Sequence, residues 1–134
     1  MTLFRRRRFL VVSAASVAGL LLRVRPALAR GPHPTPRPGI TGERVLTREQ
    51  LAVSPSLIPL FDQIREIPAI ADGIRCNCGC AEQPGYYSLL SCYEGDGMAR
   101  SCPICQGQGR LTSRLHQEGK TLDQIRTAVD ARYG

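Results

Sequence analysis

The pattern of apolar positions along the chain is helical wherever it is periodic. Leu57, Leu60, Phe61, Ile64 and Ile67 recur at a spacing near 3.6 and predict one apolar helix face. Ser56 is its expected cap, Pro59 fits only its first turn, and Pro68 ends or kinks it before a further turn through Ile70. Ahead of it, Thr47 and Gln50 form a capping box over a short turn that Ser54-Pro55 closes. Tyr86, Leu89, Leu90 and Tyr93 stand at i, i+3, i+4 and i+7, which predicts a two-turn helix ending at Gly95-Asp96-Gly97. Ile104, Leu111 and Leu115 mark a helix from about Pro103 to Glu118, with Gly119 as terminator. Gly107 and Gly109 weaken its beginning, so loop is expected there as far as Arg110. Thr121 and Gln124 cap a last helix whose face is Leu122, Ile125, Val129 and Tyr133. The short connection makes these two an antiparallel hairpin. No sustained period of two occurs, so the expected fold is mainly α: a small helical domain with a Cys-rich loop and a C-terminal antiparallel helical hairpin.

The two ends of the chain differ in kind. Residues 1–29 read as an export signal: Arg5 to Arg8 form a charged start, Phe9 to Leu22 an apolar run, and Ala27-Leu28-Ala29 a small-x-small cleavage site. The apolar run is shorter than the roughly 20 residues that span a bilayer. Arg6-Arg7-Arg8-Phe9-Leu10 resembles the twin-arginine signal, which implies transport of an already folded protein to an extracytoplasmic compartment, with no membrane attachment after cleavage. Residues 30–46 read as a proline-rich linker in which His33 is a solvated residue, and residues 47–134 as the six-cysteine helical domain.

Charge changes the picture only at the N-terminus. The chain has 18 basic and 11 acidic residues, a net charge of +7. Six of the arginines, and no acid, lie in residues 1–29, so the remainder carries 12 basic against 11 acidic residues and a net charge near +1. Nucleic-acid binding by phosphate neutralisation is thereby argued against. With no Trp in the chain the core must be mostly aliphatic, and a domain this small usually needs a metal or disulfides to stay folded.

The candidate chemistry is sulfur. All six cysteines lie between Arg75 and Cys105: Cys76, Cys78 and Cys80 alternate, Cys92 follows, and Cys102 and Cys105 form a Cys-x-x-Cys pair. Thiolates without a carboxylate cluster suit Cu(I) or Zn²⁺, fit an iron–sulfur cluster less well, and argue against Mg²⁺ or Ca²⁺. Six thiols exceed one tetrahedral Zn²⁺ site, whereas Cu(I) takes two or three and shares them. Two other readings stand beside metal binding: thiol–disulfide exchange through Cys102 and Cys105, and a secreted mini-domain stapled by three disulfides. Hydrolase and nucleotide chemistry have no support, because Ser88 and Ser91 lack a nucleophile-elbow context and no phosphate-cradling glycine run occurs. Tyr86 and Tyr87 are expected in the core with their hydroxyls at its edge, and His116 on a solvated face.

Residues 67–134 resemble the bacterial exported proteins named for a Pro-Cys-Tyr-Cys-Gly-Cys motif. The likeness rests on Cys76-Asn77-Cys78-Gly79-Cys80, on Ser88-Leu89-Leu90-x-Cys92, on Cys102-x-x-Cys105 and on the Gly119 to Arg126 segment. It implies metal binding by an extracytoplasmic protein. The chain departs from that pattern at Arg75, where the motif has Pro, at Asn77, where it has Tyr, and at Tyr86, where His is common. The segment from Cys102 to Gly134 also resembles the thiol-bearing helical domain of the cytochrome c maturation apparatus, which implies handling of apocytochrome thiols.

Overall fold

The computed structural model describes residues 31–134; the expected signal peptide and its cleavage site lie outside the described residues. The order is a 3₁₀ turn at Pro55–Leu57, α1 (Ile58–Glu66), α2 (Pro68–Asp72), 3₁₀ turns at Cys80–Glu82, Leu90–Tyr93 and Met98–Arg100, α3 (Pro103–Gln117) and α4 (Leu122–Tyr133). Among the described residues the only β pairing is an isolated bridge between Val45 and Glu94. The domain is mainly α.

α3 and α4 form the expected antiparallel hairpin. Thr121 caps α4, its hydroxyl accepting from Gln124 N–H while the Gln124 side chain accepts from Thr121 N–H. Gly119 ends α3 at φ +79°, with the Lys120 N–H reaching back to Leu115 C=O at 3.0 Å. α3 is helical from Pro103, straight through Gly107 and Gly109, where loop was expected. The glycines serve close packing instead: a Cβ on Gly109 would overlap the Tyr93 hydroxyl, and one on Gly107 the Tyr133 hydroxyl. Tertiary contact thus overrides a poor local propensity.

α1 lies against α3 and buries Leu60, Phe61 and Ile64, the expected face; Phe61 meets the Tyr93 ring with centroids 4.7 Å apart. Ser56 does not cap it. The 3₁₀ turn leads directly into α1, and Leu57 occupies the cap position without a side-chain bond. Residues 86–93 differ more. The expected two-turn helix is a single 3₁₀ turn: Ser91 and Cys92 N–H bond back three residues, to Ser88 and Leu89 C=O, where an α-helix would bond back four. Tyr87 and Ser88 N–H donate to Ser91 Oγ, and Leu89 N–H donates to Ile74 C=O at 2.8 Å. Tyr87 is not in the core. It is 43% exposed, with its hydroxyl on Thr35 C=O.

Residues 31–46, read as a linker, lie extended across the helices and are bonded to them. Arg37 pairs with the fully buried Asp72 at 2.8 Å, and Arg126 donates to Pro34 C=O. His33 is the clearest difference from its expected solvation: its side chain is 12% exposed, with Nε2 3.0 Å from Asp130 and Nδ1 accepting from Arg75 N–H. Burial alone would push the Asp72 carboxyl up, but hydrogen bonds from Arg37 and Ser88 outweigh it and hold the group below the usual carboxylate range.

Candidate metal centre

The cysteine loop begins where α2 ends. Ile74 is buried and bonded to Leu89, which fixes the chain as it leaves Gly73. Between Cys76 and Cys80 the backbone must double back, and Gly79 supplies the left-handed conformation (φ +93°) that lets it do so. Cys80 then opens its own 3₁₀ turn. Cys92 is supplied by the Leu90–Tyr93 turn, against which Gly97 packs so closely that a Cβ would overlap Cys92 C=O. Cys105 comes from the first turn of α3, and its C=O accepts from the buried Tyr93 hydroxyl at 2.8 Å.

These segments bring five sulfurs together. The Sγ atoms of Cys76, Cys78, Cys80, Cys92 and Cys105 all lie within 4.8 Å of one another, and four of the five residues are buried. Cys78 is central, at 3.4 Å from Cys76, 2.7 Å from Cys80 and 3.3 Å from Cys105. Cys76 also meets Cys105 at 3.4 Å, and Cys80 meets Cys92 at 3.1 Å. None of the six cysteines is in a disulfide. Cys102 stands outside the cluster, at the N-cap of α3, where its Sγ accepts from Cys105 N–H at 3.4 Å.

The cluster fits a soft ion. With a Zn–S bond of about 2.3 Å, two thiolates on one ion are at most about 4.6 Å apart. The five sulfurs lie within 4.8 Å of one another, so the widest separation stands slightly beyond that limit and a small inward shift would bring any chosen four onto one ion. No carboxylate belongs to the group; the nearby Glu82 is exposed and faces Arg75 at 3.5 Å. Sulfur alone, with five donors, satisfies one tetrahedral ion or a pair of ions of low coordination number.

Protons are unevenly held in the cluster. Hydrogen bonds with Cys105 and Cys92 stabilise a Cys76 thiolate and bring that group far below the ordinary thiol range. Burial raises Cys78 and Cys80. Cys105 is raised by its hydrogen bonds to Cys76 and Cys92 and then by burial. Cys92 is pulled down by Cys105, but its bond to Cys76 and its burial prevail, so it too is raised. Most of these thiols hold their protons more tightly than a free cysteine, so a bound cation would have to displace protons.

One supporting residue escaped the sequence reading. Gln108, fully buried on α3, accepts from Asn77 N–H at 3.0 Å through Oε1 and donates to Arg75 C=O at 3.2 Å through Nε2. Those two bonds fix its orientation and clamp the cysteine loop to the helix that bears Cys105. Its Oε1 also lies 3.3 Å from Cys76 Sγ, a contact that favours the protonated thiol and opposes the thiolate described above. The signal in the sequence was faint: a polar residue one turn after Cys105, between two glycines. No protein-family model matches the chain, and neither a curated protein nor a solved structure is similar to it.

Proposed function

We propose that the protein is an exported binder of a soft metal ion, Cu(I) or Zn²⁺, which it holds through Cys76, Cys78, Cys80, Cys92 and Cys105 in order to handle or deliver that ion. The observation that carries the reading is the convergence of five unpaired thiols within 4.8 Å. Donor chemistry supports a soft ion, and because thiols bind metal as thiolates its uptake would release protons. Export by the twin-arginine route belongs to the same reading, since folding before transport would let a metal protect the thiolates. No described helix is long and apolar enough to cross a membrane. The likeness to the Pro-Cys-Tyr-Cys-Gly-Cys proteins points the same way.

A second reading, thiol–disulfide exchange, is favoured by one observation: Cys102 is half-exposed at the start of a helix with Cys105 one turn behind it. Metal content and disulfide-reductase turnover, measured side by side on the parent, Cys78→Ser and Cys102→Ser, separate the two. The metal reading expects Cys78→Ser to lose metal and no preparation to turn over. Turnover that vanishes in Cys102→Ser and survives in Cys78→Ser would establish the exchange reading instead.

A further inference from the structure

The six sulfurs divide by exposure. Cys76, Cys80, Cys92 and Cys105 are buried, whereas Cys78 and Cys102 are half-exposed. Cys105 adjoins both of the exposed ones: its Sγ lies 3.3 Å from Cys78 Sγ, and its N–H donates to Cys102 Sγ at 3.4 Å. The side of the cluster reached from solvent is therefore bounded by Cys78 and Cys102. Nothing roofs it. Met98 and Ile104, next to Cys102, are themselves 42% and 40% exposed, and a Cβ on Gly79 would meet open space.

We infer that Cys102 is the outer, transient ligand through which a soft ion reaches the buried cluster, and that it takes no part in the resting site. The inference rests on the metal reading above. A carrier or chelator is too bulky to touch four buried thiols, and a bare cation does not cross protein interior without a ligand. The ion must instead pass by exchange, with one sulfur joining before another leaves.

In the first step the Cys102 thiol gives its proton to solvent, its Sγ bonds the ion, and a carrier–ion bond breaks. In the second, Cys105 or Cys78 loses a proton and bonds the ion; the Cys102–ion bond breaks and Cys102 regains a proton. The ion keeps its oxidation state throughout. The weak bond that Cys102 accepts from Cys105 N–H suits a sulfur that bonds and lets go, and the transfer spans a single helical turn.

The test is a rate set against a capacity. The reduced, metal-free protein is mixed with Cu(I)–bicinchoninate and, separately, with a Zn²⁺ complex of a pyridylazo dye, and both transfer rate and final stoichiometry are read. Serine at position 102 keeps a good helix cap, so Cys102→Ser should fold. It is expected to fill to the parental stoichiometry but about tenfold more slowly or worse, since thiol exchange depends on access. Cys92→Ser should show the reverse, a reduced capacity at a near-parental initial rate. A lowered stoichiometry in Cys102→Ser would make Cys102 a resident ligand, and an unchanged rate would remove its role; either overturns the inference while leaving the metal reading intact. A parent that takes no metal defeats that reading itself, and the inference with it. A brief native pulse of alkylating reagent gives an independent check. Cys102 should be modified among the first, and protein alkylated there alone should load slowly; modification beginning at Cys76 or Cys92 contradicts the proposed access route.

Discussion

The α3–α4 hairpin and the cysteine loop are held by different physics. The hairpin has regular backbone bonding, a complete capping box, a glycine stop and an apolar seam that buries Ile125 and Val129 completely. The loop from Arg75 to Cys92 has three-residue and four-residue turns, two left-handed glycines, Gly79 and Gly85, and the Gln108 clamp. What lies at its centre is thiols rather than methyl groups. The hairpin keeps its structure through burial and capping. Between the turns, the loop depends on what its sulfurs do.

That contrast predicts where each kind of perturbation acts. Removing a bound metal should have the largest effect, about 4 kcal/mol if the free ion stands near a thousand times its Kd. The melting temperature should fall, and amide exchange should accelerate first in residues 75–93 while residues 108–129 stay protected. Uniform acceleration would mean that the two regions are not separately supported. Val129→Asp strikes the hairpin instead and should cost about 2–4 kcal/mol in denaturant unfolding, because it buries an unpaired carboxylate. Gly109→Ala tests the seam between the regions: the added methyl meets the Tyr93 hydroxyl, which bonds Cys105 C=O, and a loss of about 1–3 kcal/mol is expected.

Alkaline pH gives the mildest probe, and its sign follows from the thiols. Cys78, Cys80, Cys92 and Cys105 are raised in the folded chain above the unfolded value of about 8.5. A raised folded pKa means that stability is fully present below the unfolded value and is lost as pH rises past it. The metal-free protein should therefore weaken progressively above about pH 8.5, with the loss centred on the cysteine cluster. Metal-bound protein, its thiols already deprotonated, should show a flatter profile over the same range.

The same contrast governs what could be read before the structure. The hairpin was legible because its signals are local: Thr121 and Gln124 cap, Gly119 stops, and the apolar residues keep time. Its one misreading, loop at Gly107 and Gly109, arose because the reason for those glycines lies on Tyr133 and Tyr93, far along the chain. In the cysteine region the residue types announced soft-donor chemistry, but not which sulfurs meet. Cys102 and Cys105 look alike in sequence, yet the turn of α3 buries one in the cluster and leaves the other at the cap. The Tyr86–Tyr93 period suggested a helix, whereas the backbone there closes three-residue 3₁₀ bonds while Ser91 Oγ and Ile74 C=O tie its start to the cysteine loop. The proline segment held no local sign of docking, because His33 and Arg37 find their partners in Asp130 and Asp72.

The central claim is that the five-thiol cluster is a metal site. Elemental analysis of protein purified from its own host, with free thiols counted in the same sample after denaturation and chelation, tests it most directly. The account predicts a stoichiometric soft metal, copper or zinc, and six titratable thiols. A metal-free protein whose six cysteines are all paired would contradict it and leave a disulfide-stapled domain.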